Sequence, residues 1–255
     1  MDGRTHLYLA ASGALPALLA MWYVDRLDAK RPEPRSLRWR VALYGCLSVI
    51  PVVVLALAAR AGLGDRMPPP HTYGGAAYHA FVMAAAVEEL CKIGVIYWVF
   101  GRAEFDERLD GIVYAGRAGL GFALVENVLY LYSQDELGGI VATWVLRALL
   151  AVPGHALWTG LMGYFVARRR FDRAGPGIVG GYLAAVALHG LYDFAIFVGA
   201  PLRADGRDDL AVLLLAVPVV IVILSLRAVR AMARTALTLD DADAARRLGG
   251  VEMPV

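Results

Sequence analysis

Seven long apolar stretches divide the chain, at roughly residues 5–24, 40–60, 75–100, 110–132, 138–167, 176–198 and 209–229. Each comes close to, or exceeds, the ~20 residues an α-helix needs to cross the hydrocarbon core of a bilayer. The pattern predicts an all-α integral membrane protein with about seven transmembrane helices. The first stretch has no basic segment ahead of it and no small-residue cleavage site before residue 25, so it reads as a retained helix rather than a signal peptide. The fifth is too long for one straight crossing. Pro153-Gly154 sits mid-way along it, and proline removes a backbone donor, so a bend or break is expected there.

Polar positions inside these stretches are the next signal, because ionisable groups in a membrane are costly and usually functional. The third stretch holds Glu88, Glu89 and Lys92; the fourth Arg117 and Glu126; the fifth Arg147 and His155; the sixth His189 and Asp193. The first, second and seventh carry almost none away from their ends. The asymmetry predicts a polar catalytic or binding core on the third to sixth spans, with three helices around it. Spacing adds detail. His189 and Asp193 are four residues apart and share a helix face, as do Glu88 and Lys92. Lys92 can therefore neutralise one of two adjacent carboxylates. Consecutive helix positions point about 100° apart, so only one of Glu88 and Glu89 should face a cavity fully. Imidazoles and carboxylates together suit zinc, whose catalytic sites take three protein ligands and a water. Each residue alone has a plainer reading: Arg117, Arg147 and Lys92 as counter-ions, His155 as a hydrogen-bonded core residue, Glu126-Asn127 as a clamp between helices. Gly116, Gly119 and Gly121 read as a close-packing surface.

Composition agrees with the membrane assignment. Apolar residues make up 59% of the 255, and only 19% are charged, against about 45–50% and about 25% for a soluble domain. Disorder is excluded, and a net charge of +2 without a dense basic face argues against a nucleic-acid partner. Cys46 and Cys91 lie in apolar runs and read as small buried hydrophobes. The basic residues set an orientation. Arg26, Lys30, Arg31, Arg35, Arg38, Arg40, Arg102, Arg108, the Arg168–Arg170 run, Arg173 and the arginines after residue 226 fall on one side; Arg4, Arg60, Arg66, Arg203 and Arg207 fall on the other. By the positive-inside rule the N-terminus is outside and the C-terminus cytoplasmic, in the cytoplasmic (inner) membrane. Residues 1–230 read as one polytopic membrane domain and 231–255 as a cytoplasmic tail, part of which, around Leu237 to Leu248, has the pattern of a surface helix.

Four blocks then resemble a known family. AAAVEELCKIGVIYWVF resembles the EExxK signature of PrsW-family intramembrane metalloproteases. The stretch with Asp110, Gly111, Tyr114, Phe122, Glu126 and Asn127 resembles their DGxVYA…GFAxxEN block. The stretch with Arg147, His155, Trp158 and Thr159 resembles their R…HxxWT block, and HGLYDF supplies His189 and Asp193. The blocks occur in order over a motif core of about residues 85–195. The resemblance implies a multi-helix fold related to the CAAX-prenyl and bacteriocin-processing proteases, although Glu126 stands where those enzymes carry histidine and Asp193 where they carry asparagine. It further implies cleavage of a membrane-anchored protein, such as an anti-sigma factor, near the outer face.

The expected function is thus an intramembrane endopeptidase. A water activated by a metal, expected to be zinc, or by glutamate attacks a peptide bond of a membrane-associated substrate. Glu88, Glu89 and Glu126 are the catalytic candidates, with Glu89 the first choice of general base. His155, His189 and Asp193 are the candidate metal ligands. Lys92, Asn127, Arg147 and Trp158 support them. Without a metal, Glu89 and Glu126 could activate water directly, with His189 stabilising the oxyanion. A non-catalytic scaffold of the same fold is the rival reading. A proton-coupled transporter is a third, disfavoured by the absence of an internal repeat.

Overall fold

Several of the breaks between this chain's helices follow prolines. In the computed structural model, which describes residues 3–249, the elements are α1 (Gly3–Leu27), α2 (Arg35–Leu47), α3 (Val49–Leu63), a 3-10 turn (Gly64–Arg66), α4 (Tyr73–Ala77), a π-helical segment (Tyr78–Ala86), α5 (Val87–Phe100), α6 (Arg108–Tyr132), α7 (Leu137–Leu146), a second π-helical segment (Arg147–Ala151), α8 (Val152–Phe171), α9 (Gly177–Phe197), α10 (Gly199–Ala204), α11 (Asp208–Leu214) and α12 (Ala216–Gly249). No strand occurs among the described residues. A proline ring clashes with the carbonyl four residues earlier and leaves it without a donor. The residues four before Pro51, Pro201 and Pro218 are Leu47, Phe197 and Leu214, the last residues of α2, α9 and α11. The residue four before Pro153 is Leu149, inside the second π-helical segment. The expected bend in the fifth stretch is therefore a widened turn just upstream of Pro153, and the helical run continues through it from Leu137 to Phe171.

Six helical runs are long and apolar enough to cross a membrane: Arg4–Leu27, Arg35–Arg66, Arg108–Tyr132, Leu137–Phe171, Gly177–Ala204 and Asp208–Arg247. A seventh, of α4, the first π-helical segment and α5, carries Glu88, Glu89 and Lys92, which lower its hydropathy. About seven spans, all helical, agrees with the reading from the sequence. The outward faces are apolar: Val54 and Leu57 on α3, Leu183 and Leu191 on α9 and Leu224 on α12 are all exposed.

Helix α6 is the axis. In its most apolar 18-residue window 72% of residues are buried, against at most 39% in any other span. Small residues allow its neighbours to approach. A Cβ at Gly163 of α8 would lie 1.9 Å from the carbonyl oxygen of Gly111, and one at Gly119 would lie 2.4 Å from that of His155. Of the three glycines singled out in the sequence, Gly119 is needed for the contact with α8 and Gly121 for that with α2, where a Cβ would lie 2.0 Å from the Ala42 carbonyl oxygen; Gly116 has room for a methyl. Arg117 takes the counter-ion role, donating to Asp25 at 2.5 Å and to the Arg38 carbonyl at 3.1 Å.

At the end of the molecule where α6 begins, α12 returns. It runs without a break through residues 231–249; residues 250–255 of the tail lie outside the described residues. Its buried Asp240 accepts from the backbone amides of Arg108 and Leu109, both at 3.1 Å, and so caps α6. Arg108 also pairs with Asp172, Asp240 and Asp243 at 2.6–2.9 Å.

Candidate active site

The candidate residues from the third to sixth spans meet in one place. The first π-helical segment leads directly into the turn carrying Glu88 and Glu89, and the second begins at Arg147. Such wide turns often occur at functional sites because they re-aim side chains within a helix. Lys92, fully buried, is the hub on α5. Its Nζ lies 2.8 Å from Glu89 Oε1, 3.5 Å from Glu88 Oε2 and 2.9 Å from His155 Nδ1, and 4.1 Å from the centre of the Phe122 ring. One cation thus serves two carboxylates and an imidazole, which is how charges survive away from water.

The two adjacent glutamates have different environments. Glu89 is fully enclosed and accepts from Lys92, from His189 Nδ1 at 3.0 Å and from Thr159 Oγ1 at 3.4 Å. Its carboxylate therefore keeps the His189 proton on Nδ1 and turns Nε2 inward. Glu88 is held more loosely and lines a cavity of about 40 Å³ together with Glu126, Arg147, His155, His189 and Asp193. A volume of that size holds a few water molecules. His189 Nε2 faces Asp193 Oδ2 at 3.3 Å and Glu88 Oε2 at 3.9 Å.

On the opposite wall a chain of polar contacts crosses four helical segments. Asn127 donates to the Gly13 carbonyl of α1 at 2.7 Å and accepts from Arg147 at 2.9 Å. Arg147 donates to Glu126 Oε2 at 2.6 Å, which in turn lies 2.8 Å from His155 Nε2. Trp158 stacks on His189 with ring centres 4.9 Å apart and donates to Ser225 of α12 at 3.2 Å.

The ten candidate catalytic, metal-ligating and supporting residues are in this cluster or its immediate support; Arg117, also inside an apolar stretch, is not. Not singled out were Tyr130 and Tyr192, which line the cavity, with the Arg147 guanidinium 3.9 Å above the Tyr130 ring. Helical spacing offered a signal for both: Tyr130 lies one turn beyond Glu126, and Tyr192 follows His189 by three residues.

One donor atom each from Glu88, His155 and His189 lies within 4.8 Å of the others, a set able to hold an ion. Asp193 is outside that set and next to it. The donors fit a metal of borderline softness: two imidazoles, carboxylates within reach and a carboxylate behind His189. His155 has a contact at each nitrogen, Lys92 at Nδ1 and Glu126 at Nε2, so one of these must yield for it to become a ligand.

Comparison with known proteins bears on this arrangement. The family model described as PrsW family intramembrane metalloprotease matches residues 33–223. The chain belongs to this family. It is 34% identical over 191 residues to Protease PrsW of Geobacillus kaustophilus, covering 74% of this chain and 79% of that one. It is 33% identical to Protease PrsW of Oceanobacillus iheyensis, covering 74% and 83%, and 30% identical to that of Bacillus subtilis, covering 74% and 82%. No solved structure matches. The stretch matched to the PrsW family contains every residue of the cluster from Glu88 to Asp193 but not α1, whose Gly13 carbonyl anchors Asn127. PrsW membership and the apolar helices make this a multi-pass membrane protein of a protease family.

Proposed function

We propose that the chain is an intramembrane endopeptidase that hydrolyses a peptide bond of a membrane-associated protein. In this reading Glu88 is the general base, and His155, His189 and Asp193 are the residues that would hold a zinc ion. The observation that carries it is the convergence of Glu88, His155 and His189, from three different helices, on one small enclosed cavity. Bound zinc supplies a more acidic water and a polarised substrate carbonyl.

The division of roles follows from the contacts. Asp193 is closer than Glu88 to the inward nitrogen of His189, 3.3 against 3.9 Å. Glu88, the acid held most loosely at the cavity, is left for proton transfer. The Glu88 carboxylate takes a proton from a cavity water as the water oxygen attacks the peptide carbonyl carbon. It returns that proton to the leaving nitrogen as the C–N bond breaks. The hydroxyl ends on the new carboxyl group and the hydrogen on the new amine. Glu89 ranked first from sequence, but its acceptor positions are filled by Lys92, His189 and Thr159, so its role is to orient His189. Glu126, held by Arg147, does the same for His155.

A helical substrate hides its carbonyls, so the segment cut must be extended, and a cavity of about 40 Å³ admits it only when lining side chains part. An anti-sigma-factor-like, single-span regulator is the substrate class we assign. The distribution of Arg and Lys supports an external N-terminus and a cytoplasmic C-terminus in the inner membrane, with residues 1–230 as one polytopic domain and 231–255 as its tail.

The test is co-expression with a panel of single-span, anti-sigma-like reporters, with zinc measured in parallel on the purified proteins. Glu88→Gln should abolish cleavage and keep the zinc; His189→Ala should lose both. Reporter cleavage by Glu88→Gln at the wild-type rate overturns the assignment.

A further inference from the structure

The structure has a second cluster of carboxylates, at the connections between spans and without the counter-ions of the first. Among the buried acidic side chains, Glu88, Glu89 and Asp240 each pair with Lys or Arg. Asp28, Glu33 and Asp110, with exposures of 2, 8 and 1%, pair with none among the described residues. They come together where the α1–α2 connection meets the segment before α6. One oxygen each of Glu33, Asp106 and Asp110 lies within 4.8 Å of the others. Asp110 Oδ2 accepts from the backbone amides of Asp106 and Glu107, at 2.8 and 2.7 Å, while its Oδ1 is enclosed and meets no donor, the side chain standing within hydrogen-bond reach of the Glu33 carboxyl. Glu33 accepts from the Tyr114 hydroxyl and, through its own amide, donates to Asp28 at 3.1 Å. The nearby guanidinium of Arg31 is already committed to Glu107 and Asp241.

Buried carboxylates without a cation are unstable unless something neutralises them. We propose that Glu33, Asp106 and Asp110 form a cation site separate from the active centre, taking a hard divalent ion such as Mg²⁺ or Ca²⁺. The donors are all oxygen, with no imidazole or thiolate, which is the chemistry of these ions rather than of zinc. Asp106 is exposed and gives the ion a route from water. The site joins two connections, and its Asp110 lies in the first turn of α6, the helix that carries Glu126 and Asn127. An ion there fixes the α1–α2 connection to the base of α6. The inference does not depend on the peptidase reading.

The experiment uses the full chain in detergent, stripped of metal and titrated with Mn²⁺ as an oxygen-preferring probe, bound ion being counted by electron paramagnetic resonance. His189→Ala serves as the background that removes the imidazole site; zinc-treated wild type provides the same background without a substitution. About one Mn²⁺ per chain should bind in both backgrounds, and Mg²⁺ or Ca²⁺ should displace it. Asp106→Asn, at an exposed residue whose side chain makes no other bond among the described residues, should weaken binding about tenfold, and Asp110→Asn should abolish it. No Mn²⁺ bound in either background, as a proton shared between Glu33 and Asp110 would give, overturns the proposal. So does binding unchanged by Asp106→Asn.

Discussion

Two buried acidic clusters in one small protein are neutralised in different ways. At the active centre the protein supplies its own cations: Lys92 stands between Glu88, Glu89 and His155, and Arg147 between Glu126 and Asn127. At the Glu33–Asp110 cluster no Lys or Arg among the described residues pairs with Asp28, Glu33, Asp106 or Asp110, the nearby Arg31 being committed to Glu107 and Asp241. The difference follows from location. The active centre lies among membrane-spanning helices, where a free ion is scarce and fixed counter-ions keep the carboxylates ordered. The second cluster lies at connections between spans, within reach of water, where a dissolved ion can do the same work. Internal pairing thus leaves Glu88 as the least tightly held acid of the first cluster.

Four perturbations sharpen the contrast, from the largest expected effect to the smallest. Glu88→Gln should lower the reporter cleavage rate by about 10²–10⁴-fold, the usual contribution of a general base, with no change in the thermal unfolding midpoint beyond a few degrees. A comparable fall in stability would mean that Glu88 is structural. Lys92→Met keeps the volume but leaves two carboxylates without their cation. A cost of about 3–5 kcal/mol is expected in a detergent unfolding titration. A smaller loss would show that the two glutamates do not depend on Lys92. Asn127→Ala cuts the link from α1 to Arg147 and should cost about 1–3 kcal/mol, since Arg147 and the Gly13 carbonyl both lose a buried partner. Cleavage should fall with it because Glu126 and His155 are positioned through the same chain. The last is Asp106→Asn, which should leave the midpoint in chelator almost unchanged but remove the stabilisation that added Mg²⁺ or Ca²⁺ gives the wild type. An equal gain in both proteins would dissolve the contrast between the clusters.

Much of the first cluster was legible in the sequence, because membrane burial makes polar residues conspicuous. Nine ionisable residues in four consecutive apolar stretches, with i,i+4 pairs at Glu88/Lys92 and His189/Asp193, pointed to one centre before any fold was known; eight of them meet there, and the ninth, Arg117, pairs with Asp25 instead. The split between Glu88 and Glu89 was legible only as a geometric necessity. Which one faces the cavity depends on Thr159 and His189 closing around Glu89, contacts 70 and 100 residues distant. Helix interruptions were partly legible: the proline rule places the breaks at Leu47, Phe197 and Leu214, yet a single long apolar run hides them. The second cluster gave little signal. Asp110 and Tyr114 stood in one of the family-like blocks, but Asp28, Glu33 and Asp106 lie in charged connections where acidic residues are ordinary, and only the packing of the α1–α2 connection against the base of α6 shows that Asp28, Glu33 and Asp110 are buried together.

The most direct test of the central claim is metal content beside activity in one preparation. Full-length protein, purified in detergent without chelator, would be analysed for zinc as wild type, as Glu88→Gln and as His189→Ala. About one zinc per chain is expected in the first two and none in the third, with cleavage in the wild type alone. Wild-type protein that is folded, cleaves the reporter and carries no zinc would contradict that claim, as would zinc retained in full by His189→Ala.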